Sequence, residues 1–354
     1  MLEGRKGMKD ERGQVGTKIL IAILVILIIV AGWVLGSKIL RDKENEETAV
    51  SEENTIMPSE IEEKTAKIFS GKDRPIAVML DNHNEAWPQA GLQEAYLVYE
   101  IIVEGAETRL MALFKGANLE KIGPVRSARH YFLDYAMEHD AIYAHFGESP
   151  QASSDIKKYS IQDINGISED GTTFWRAKDK VSPHNAVTST EKLLESAKNK
   201  KYKTISREKS VLNYTTDDKD LEDGQSAVSV TIPHSQLQTV KYEYDEENKV
   251  YERQARGKEQ VDWDTEKTIT TKNILITFCD NYTLDDVEDK GRQGLKNIGT
   301  LDGYYITNGK AIKIKCTKSA RDEKTTYKEG NEIEVNDGNT FVNICPTDAK
   351  VTLE

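Results

Sequence analysis

Residues 122–158 read IGPVRSARHYFLDYAMEHDAIYAHFGESPQASSDIKK. A short extended run ends at Pro124. Over 128–139 the spacing becomes helical, and Tyr131, Phe132, Tyr135 and Met137 form an apolar face. The run AIYAHFG is a strand again. Ser149 then supplies an N-cap and Pro150 the first helical position, which opens a helix through Lys158. Strand alternating with helix predicts an α/β-type arrangement for this part of the chain.

The same character extends upstream. PIAVML (75–80) is a buried strand stopped by the turn-forming DNHN, and LVYEIIVE and TRLMALFK are two more strands separated by Gly105-Ala106. Downstream, residues 201–225 are lysine-rich and then acidic and read as a linker. Beyond them TVKYEYDEENKVYERQ alternates around a polar turn, and GYYITNGKAIKIKC carries Asn308-Gly309 between alternating runs, a strong hairpin signal. TTYKEGNEIEVNDGNTFVNIC continues in this manner. The expected fold class is α+β, with an α/β-type domain over 70–205 and a mostly β domain over 226–354.

The chain begins differently. An uncharged run from Ile19 to Leu35 is long enough to cross a hydrocarbon core of roughly 17–20 residues. Arg5, Lys6, Lys9, Arg12 and Lys18 precede it, whereas acidic residues soon dilute the basic ones after it. The positive-inside rule predicts a cytoplasmic tail over 1–17, a membrane helix over 18–37 and a polar, acidic stalk over 38–69. This places the protein in a bacterial cell membrane, single-pass, with the bulk of the chain outside. The net charge of −12, with no basic block, argues against nucleic acid as a partner. The three cysteines, Cys279, Cys316 and Cys345, each end an apolar run and read as core residues rather than metal ligands.

Polar clusters at the strand ends of the first domain carry the functional expectation. From them we select Asp81, His83, Glu104, Arg109, Arg126, Arg129, His145, Arg176 and His184 as a candidate ligand site. In GPVRSAR, a helix beginning near Ser127 or Ala128 would aim its free N–H groups and two guanidinium groups at one spot, favouring phosphate or carboxylate. The structural alternative is that Arg126 and Arg129 pair with Glu100, Glu104 or Asp134. The histidine spacings match no metal motif, and no G-x-S-x-G elbow is present, so no metal ligands are assigned and catalytic residues stay unassigned.

These motifs resemble those of the YerB-type family of bacterial cell-surface proteins. The resemblance runs from RPIAVMLDNHNEAWPQAGL through YEIIVEGAETR, IGPVRSARHYFLDYA, AHFGESPQA, FWR and SPHN, and then through VDWDTEKTITTKNILI, GRQ at 291–293 and GYYITNGKAIKIKCTKSAR. It implies two consecutive domains and a surface location, and carries no activity with it. Many members look like lipoproteins, but here Trp33 follows Val30-Ala31-Gly32 where a lipidated cysteine would stand. The expected function is therefore binding of an anionic or glycan cell-wall ligand, or of a protein partner. In layout the first domain is also similar to the LytR–CpsA–Psr enzymes of polyprenyl pyrophosphate-linked envelope polymers. That alternative would use Arg109, Arg126 and Arg129 as charges, Asp81 to hold Mg²⁺, and His145 or His184 to move a proton.

Overall fold

Strand β1 (Ile76–Asp81) is buried along its whole length, and successive side chains serve opposite faces. Ile76, Val78 and Leu80 enter one hydrophobic cluster, and Ala77 and Met79 enter the other. Burial on both faces is the environment of an inner strand, which explains why PIAVML is continuously apolar. The computed structural model describes residues 66–285 and 288–354. The expected tail and membrane helix, and the stalk up to residue 65, lie outside the described residues. Among those described, no helix is long and apolar enough to cross a membrane.

The first stretch contributes β2 (Leu97–Ile102), β3 (Thr108–Phe114), β4 (Ile142–His145) and β5 (Asp163–Asn165), with helices α1 (His130–Glu138), α2 (Pro150–Lys158) and α3 (Thr190–Asn199). The second contributes β6 (Ser229–Pro233), β7 (Thr239–Asp245), β8 (Val250–Ala255), β9 (Asn273–Phe278), β10 (Gly299–Thr307), β11 (Lys310–Lys318), β12 (Thr326–Glu329) and β13 (Thr340–Cys345). The fold is α+β and strand-rich.

One sheet runs through both stretches, in the order β12-β11-β10-β9-β13-β2-β3-β1-β4-β5. The join is β13, which lies parallel to β2 on one side and to β9 on the other. The two stretches expected as separate domains thus share backbone hydrogen bonds. Nor is the expected linker free: Tyr214–Thr215 pairs with Val335–Asn336, Gln225–Ser226 pairs with β11, and Val211 and Leu212 are buried.

A second sheet of β6, β7 and β8 covers one face of the large sheet. Its Val230, Ile232, Val240, Tyr242 and Tyr251 share a core with Val98, Ile274, Phe341 and Leu193 of α3. On the other face α1 buries Tyr131, Phe132 and Tyr135 against Met79, Tyr99 and Met111. Ser149 caps α2 as expected, its hydroxyl accepting from the Ala152 N–H at 3.2 Å. By contrast, α1 begins at His130, later than expected, because Arg129 is still extended (φ −126°, ψ 144°) and the residues before it bond to strand and loop carbonyls. Arg126 N–H donates to the Met79 carbonyl at 2.9 Å and Ala128 N–H to that of Gly147 at 2.9 Å. GPVRSA is therefore a strap lying on strand ends, and the convergence of helix N–H groups at Ser127 or Ala128 does not form.

Candidate functional site

Strands β1, β2, β4, β5, β9 and β13 all run in one direction, as their pairings require. Their carboxyl ends lie along one edge, where open sheets commonly place ligands. Asp81 ends β1 and His145 ends β4, while Arg109 stands opposite Asp81 in the antiparallel β1–β3 register. The strap 123–129 crosses this edge, and the loop carrying His184 packs beside it.

Asp81 is the hub. It is 4% exposed, so its charge depends on protein partners. Its Oδ2 accepts from His184 Nδ1 at 2.7 Å and lies 3.3 Å from Arg126 Nε, while Oδ1 accepts the His83 N–H at 3.1 Å. His83 stacks on His184 with centroids 4.5 Å apart and planes 14° apart. His83 Nδ1 also accepts the Glu85 N–H at 3.3 Å, capping the short turn Asn84–Ala86. His184 Nε2 lies 3.4 Å from Glu85 Oε2.

Beside this group sit the other two arginines. Arg129 makes a two-point contact with Glu104, Nε to Oε1 at 2.6 Å and NH2 to Oε2 at 2.8 Å, and its NH1 donates to the Ala128 carbonyl. Arg109 is buried and donates through NH1 to the Ser127 carbonyl. Burial, then the Arg129 charge and more weakly that of Arg126, bring the Arg109 guanidinium down to about 10, although Glu104 and Asp81 oppose this. Burial pushes the Glu104 carboxyl up, but Arg129 and Arg109 together hold it below its ordinary value. The contacting carboxylates are Asp81 and Glu104, so three arginines face two negative charges.

The fold separates the remaining candidates from this centre. Both ring nitrogens of His145 face oxygens, Nδ1 the Gly147 carbonyl at 2.8 Å and Nε2 the Asp163 carboxylate at 3.1 Å, so it ties two loops together. Arg176 binds Asp170 at 3.0 Å and lies over the Phe146 ring at 4.3 Å. Of the structural partners considered for Arg126 and Arg129, only Glu104 is used, by Arg129. Glu100 pairs instead with Arg253, and Asp134 with Arg321.

Two features escaped sequence reasoning. Glu85 follows His83 by two residues, yet only the fold brings the 180–185 loop to it. His83, Glu85 and His184 offer ligand atoms that all lie within 4.8 Å of one another, the group among the described residues able to hold a metal ion. The second is a buried polar network on the opposite face: Glu100 accepts from Thr108 Oγ1 at 2.7 Å and from Arg253, and Asn82 Nδ2 donates to Thr108 Oγ1 at 2.8 Å.

Residues 62–203 match the model described as "Protein of unknown function (DUF3048) N-terminal domain", and residues 228–342 match the corresponding C-terminal domain. Over 273 residues the chain is 31% identical to "Putative lipoprotein YerB" of Bacillus subtilis (strain 168), covering 77% of this chain and 81% of that protein. The crystal structure of YerB from Bacillus subtilis superposes with a TM-score of 0.71 at 30% identity, covering 79% of this chain and 94% of the other.

Proposed function

The chain belongs to the DUF3048 family, the family its motifs resemble, and on that premise we propose that it is a membrane-anchored extracytoplasmic protein that binds a phosphate- or carboxylate-bearing envelope ligand through Arg126. YerB is named a lipoprotein, which calls for a lipid-bearing cysteine. The first cysteine here is Cys279, which is buried with its thiol pushed up to about 12 by desolvation. The apolar run within 18–37 takes over the anchoring role, with the N-terminus in the cytoplasm and residues 66–354 outside.

One observation carries the ligand reading. Arg126 is partly buried, with 27% of its side chain exposed, yet among the described residues its single carboxylate contact is Nε to Asp81 at 3.3 Å. Guanidinium forks prefer two-point contacts with carboxylate or phosphate, and Arg126 keeps its outer nitrogens for such a contact. A bound anion would also offset the crowding of three arginines that lowers Arg109. The Mg²⁺-dependent enzyme is less well supported. The Asp81 oxygens already receive His83, His184 and Arg126, which leaves little capacity for a hard cation.

The test uses the full chain in detergent and its Arg126→Ala variant. Thermal unfolding is followed with phosphate and with pyrophosphate. A ligand at about 100 Kd should add about 2.7 kcal/mol to the parent. The variant, losing one long contact, should melt near the parent and respond little. A parent indifferent to both anions, or a variant that responds equally, would overturn the reading.

A further inference from the structure

We infer a second site beside the arginines: a divalent transition-metal site of the zinc class, with His83, Glu85 and His184 as ligands and Asp81 as the group that orients His184. The His184 ring is fixed by the 2.7 Å contact of Nδ1 with Asp81 Oδ2. When Nδ1 carries the proton given to Asp81, Nε2 presents a lone pair. That lone pair faces the Glu85 carboxylate at 3.4 Å. Two electron-rich atoms at this distance need either a proton or a metal ion between them.

The spacing suits a metal. Tetrahedral ligands on bonds of about 2.0–2.1 Å stand about 3.3–3.4 Å apart, so His184 Nε2 and Glu85 Oε2 already span one edge of such a site. His83 stacks on His184 with its plane nearly parallel, so its ring must rotate out of the stack to aim a lone pair at the same point, and all three ligand atoms already lie within 4.8 Å of one another. The moving parts are free to do this. The Glu85 side chain is 60% exposed, and the bond His83 gives up is a 3.3 Å cap contact. The fixed part, His184 on Asp81, is buried.

A carboxylate that holds one imidazole nitrogen while the other binds metal is a common outer-shell arrangement in zinc sites. Two imidazoles with one carboxylate select zinc or a neighbouring transition metal over Mg²⁺ or Ca²⁺, which prefer oxygen alone. Three protein ligands leave a fourth position open to water or to a ligand group. Sequence spacing could not reveal the set, because two ligands come from the turn after β1 and the third from a loop about 100 residues later.

The inference does not depend on anion binding, because Arg126→Ala leaves all three ligands in place and should keep the metal. The full chain in detergent, stripped with chelator, is titrated with Zn²⁺ and with Co²⁺. The expected result is one ion per chain and a Co²⁺ visible spectrum of low coordination number. Glu85→Gln alters an exposed side chain and should fold like the parent, yet weaken binding at least tenfold. His83→Ala should do the same, and Asp81→Asn should cost about 10–100-fold through the outer shell. If the parent takes up no stoichiometric ion, or if Glu85→Gln and His83→Ala both bind as the parent does, His184 simply bridges two carboxylates and the site does not exist.

Discussion

His139 shows how much of this protein's pH response is decided by single buried side chains. Tyr99 donates its hydroxyl to Glu138 Oε1 at 2.6 Å, so it can accept from His139 Nε2 at 3.0 Å, while Tyr96 donates to His139 Nδ1 at 3.0 Å. This chain of bonds needs a neutral ring. Burial, opposed by Glu138 and aided by Lys318, lowers the His139 pKa from 6.5 to about 4. In the unfolded chain the ring protonates near 6.5, so the unfolded state gains protons first as the pH falls. Stability from this group is therefore full above about 6.5 and drains away between there and 4, on the order of 3 kcal/mol. Urea unfolding of the parent and of His139→Gln at pH 7 and pH 4 would measure it, and equal losses in both would refute it. The sequence shows a histidine at a helix end and nothing of this, because both tyrosines lie on or next to a distant strand. The same holds for Glu100, an acid within LVYEII whose partner Arg253 is 153 positions away. Asp81, His83 and His184 stand out in the sequence as polar residues of turn-forming clusters, and the fold brings their side chains together. Their pairing is not legible there, since a partner is chosen by topology.

Elements were easier to read than partners, because periodicity is local. The β10–β11 hairpin turns at Asn308 and Gly309, with φ of 48° and 72°, as an Asn-Gly pair in a two-residue turn requires. Gly309 also gives its N–H to the Tyr251 hydroxyl at 2.9 Å, and an added Cβ would meet Tyr244 Cδ1 at 3.0 Å. Gly309→Ala should cost about 1–2 kcal/mol from the left-handed backbone alone. Gly303 is a different case. Its backbone is extended, but a Cβ there would fall on the Ile276 carbonyl oxygen of β9 and lie 2.9 Å from Cys316 Sγ. Since both obstacles belong to paired strands, Gly303→Ala should cost at least the ~1–3 kcal/mol of an overpacked core. Thermal melts of both variants rank them, and a neutral Gly303→Ala would mean that β9 and β10 can separate freely. The start of α1 was misread for a related reason. Helical spacing was present through Ala128, but the strap's N–H groups bond to carbonyls that local sequence does not disclose.

At the scale of the whole molecule, the linker-like composition of residues 201–225 falls between the two family matches, 62–203 and 228–342, and the large sheet spans both sides of it. Strand β13, buried at every position, sits between β2 and β9. Removing it would expose β2 as a long apolar edge, the kind of edge folded proteins avoid. The cover of the opposite face is shared too. Arg253 on β8 neutralises Glu100 on β2, Gln238 Nε2 donates to Thr108 Oγ1 at 3.1 Å, and Gly91 N–H donates to Asp262 Oδ2 at 2.9 Å. A fragment ending at residue 205 would leave Glu100 buried without its cation, or drive water into the core around it. Either outcome costs about 3–5 kcal/mol, comparable to a domain's whole stability. Residues 66–205 and 206–354 made separately should therefore give poorly dispersed amide spectra, and mixing the two should restore dispersion through β13 pairing. In the intact chain, calorimetry should show one transition for residues 66–354. A cooperative melt from the 66–205 fragment alone would mean that β2 can serve as an edge strand, and that the shared sheet is an assembly of two folds rather than one.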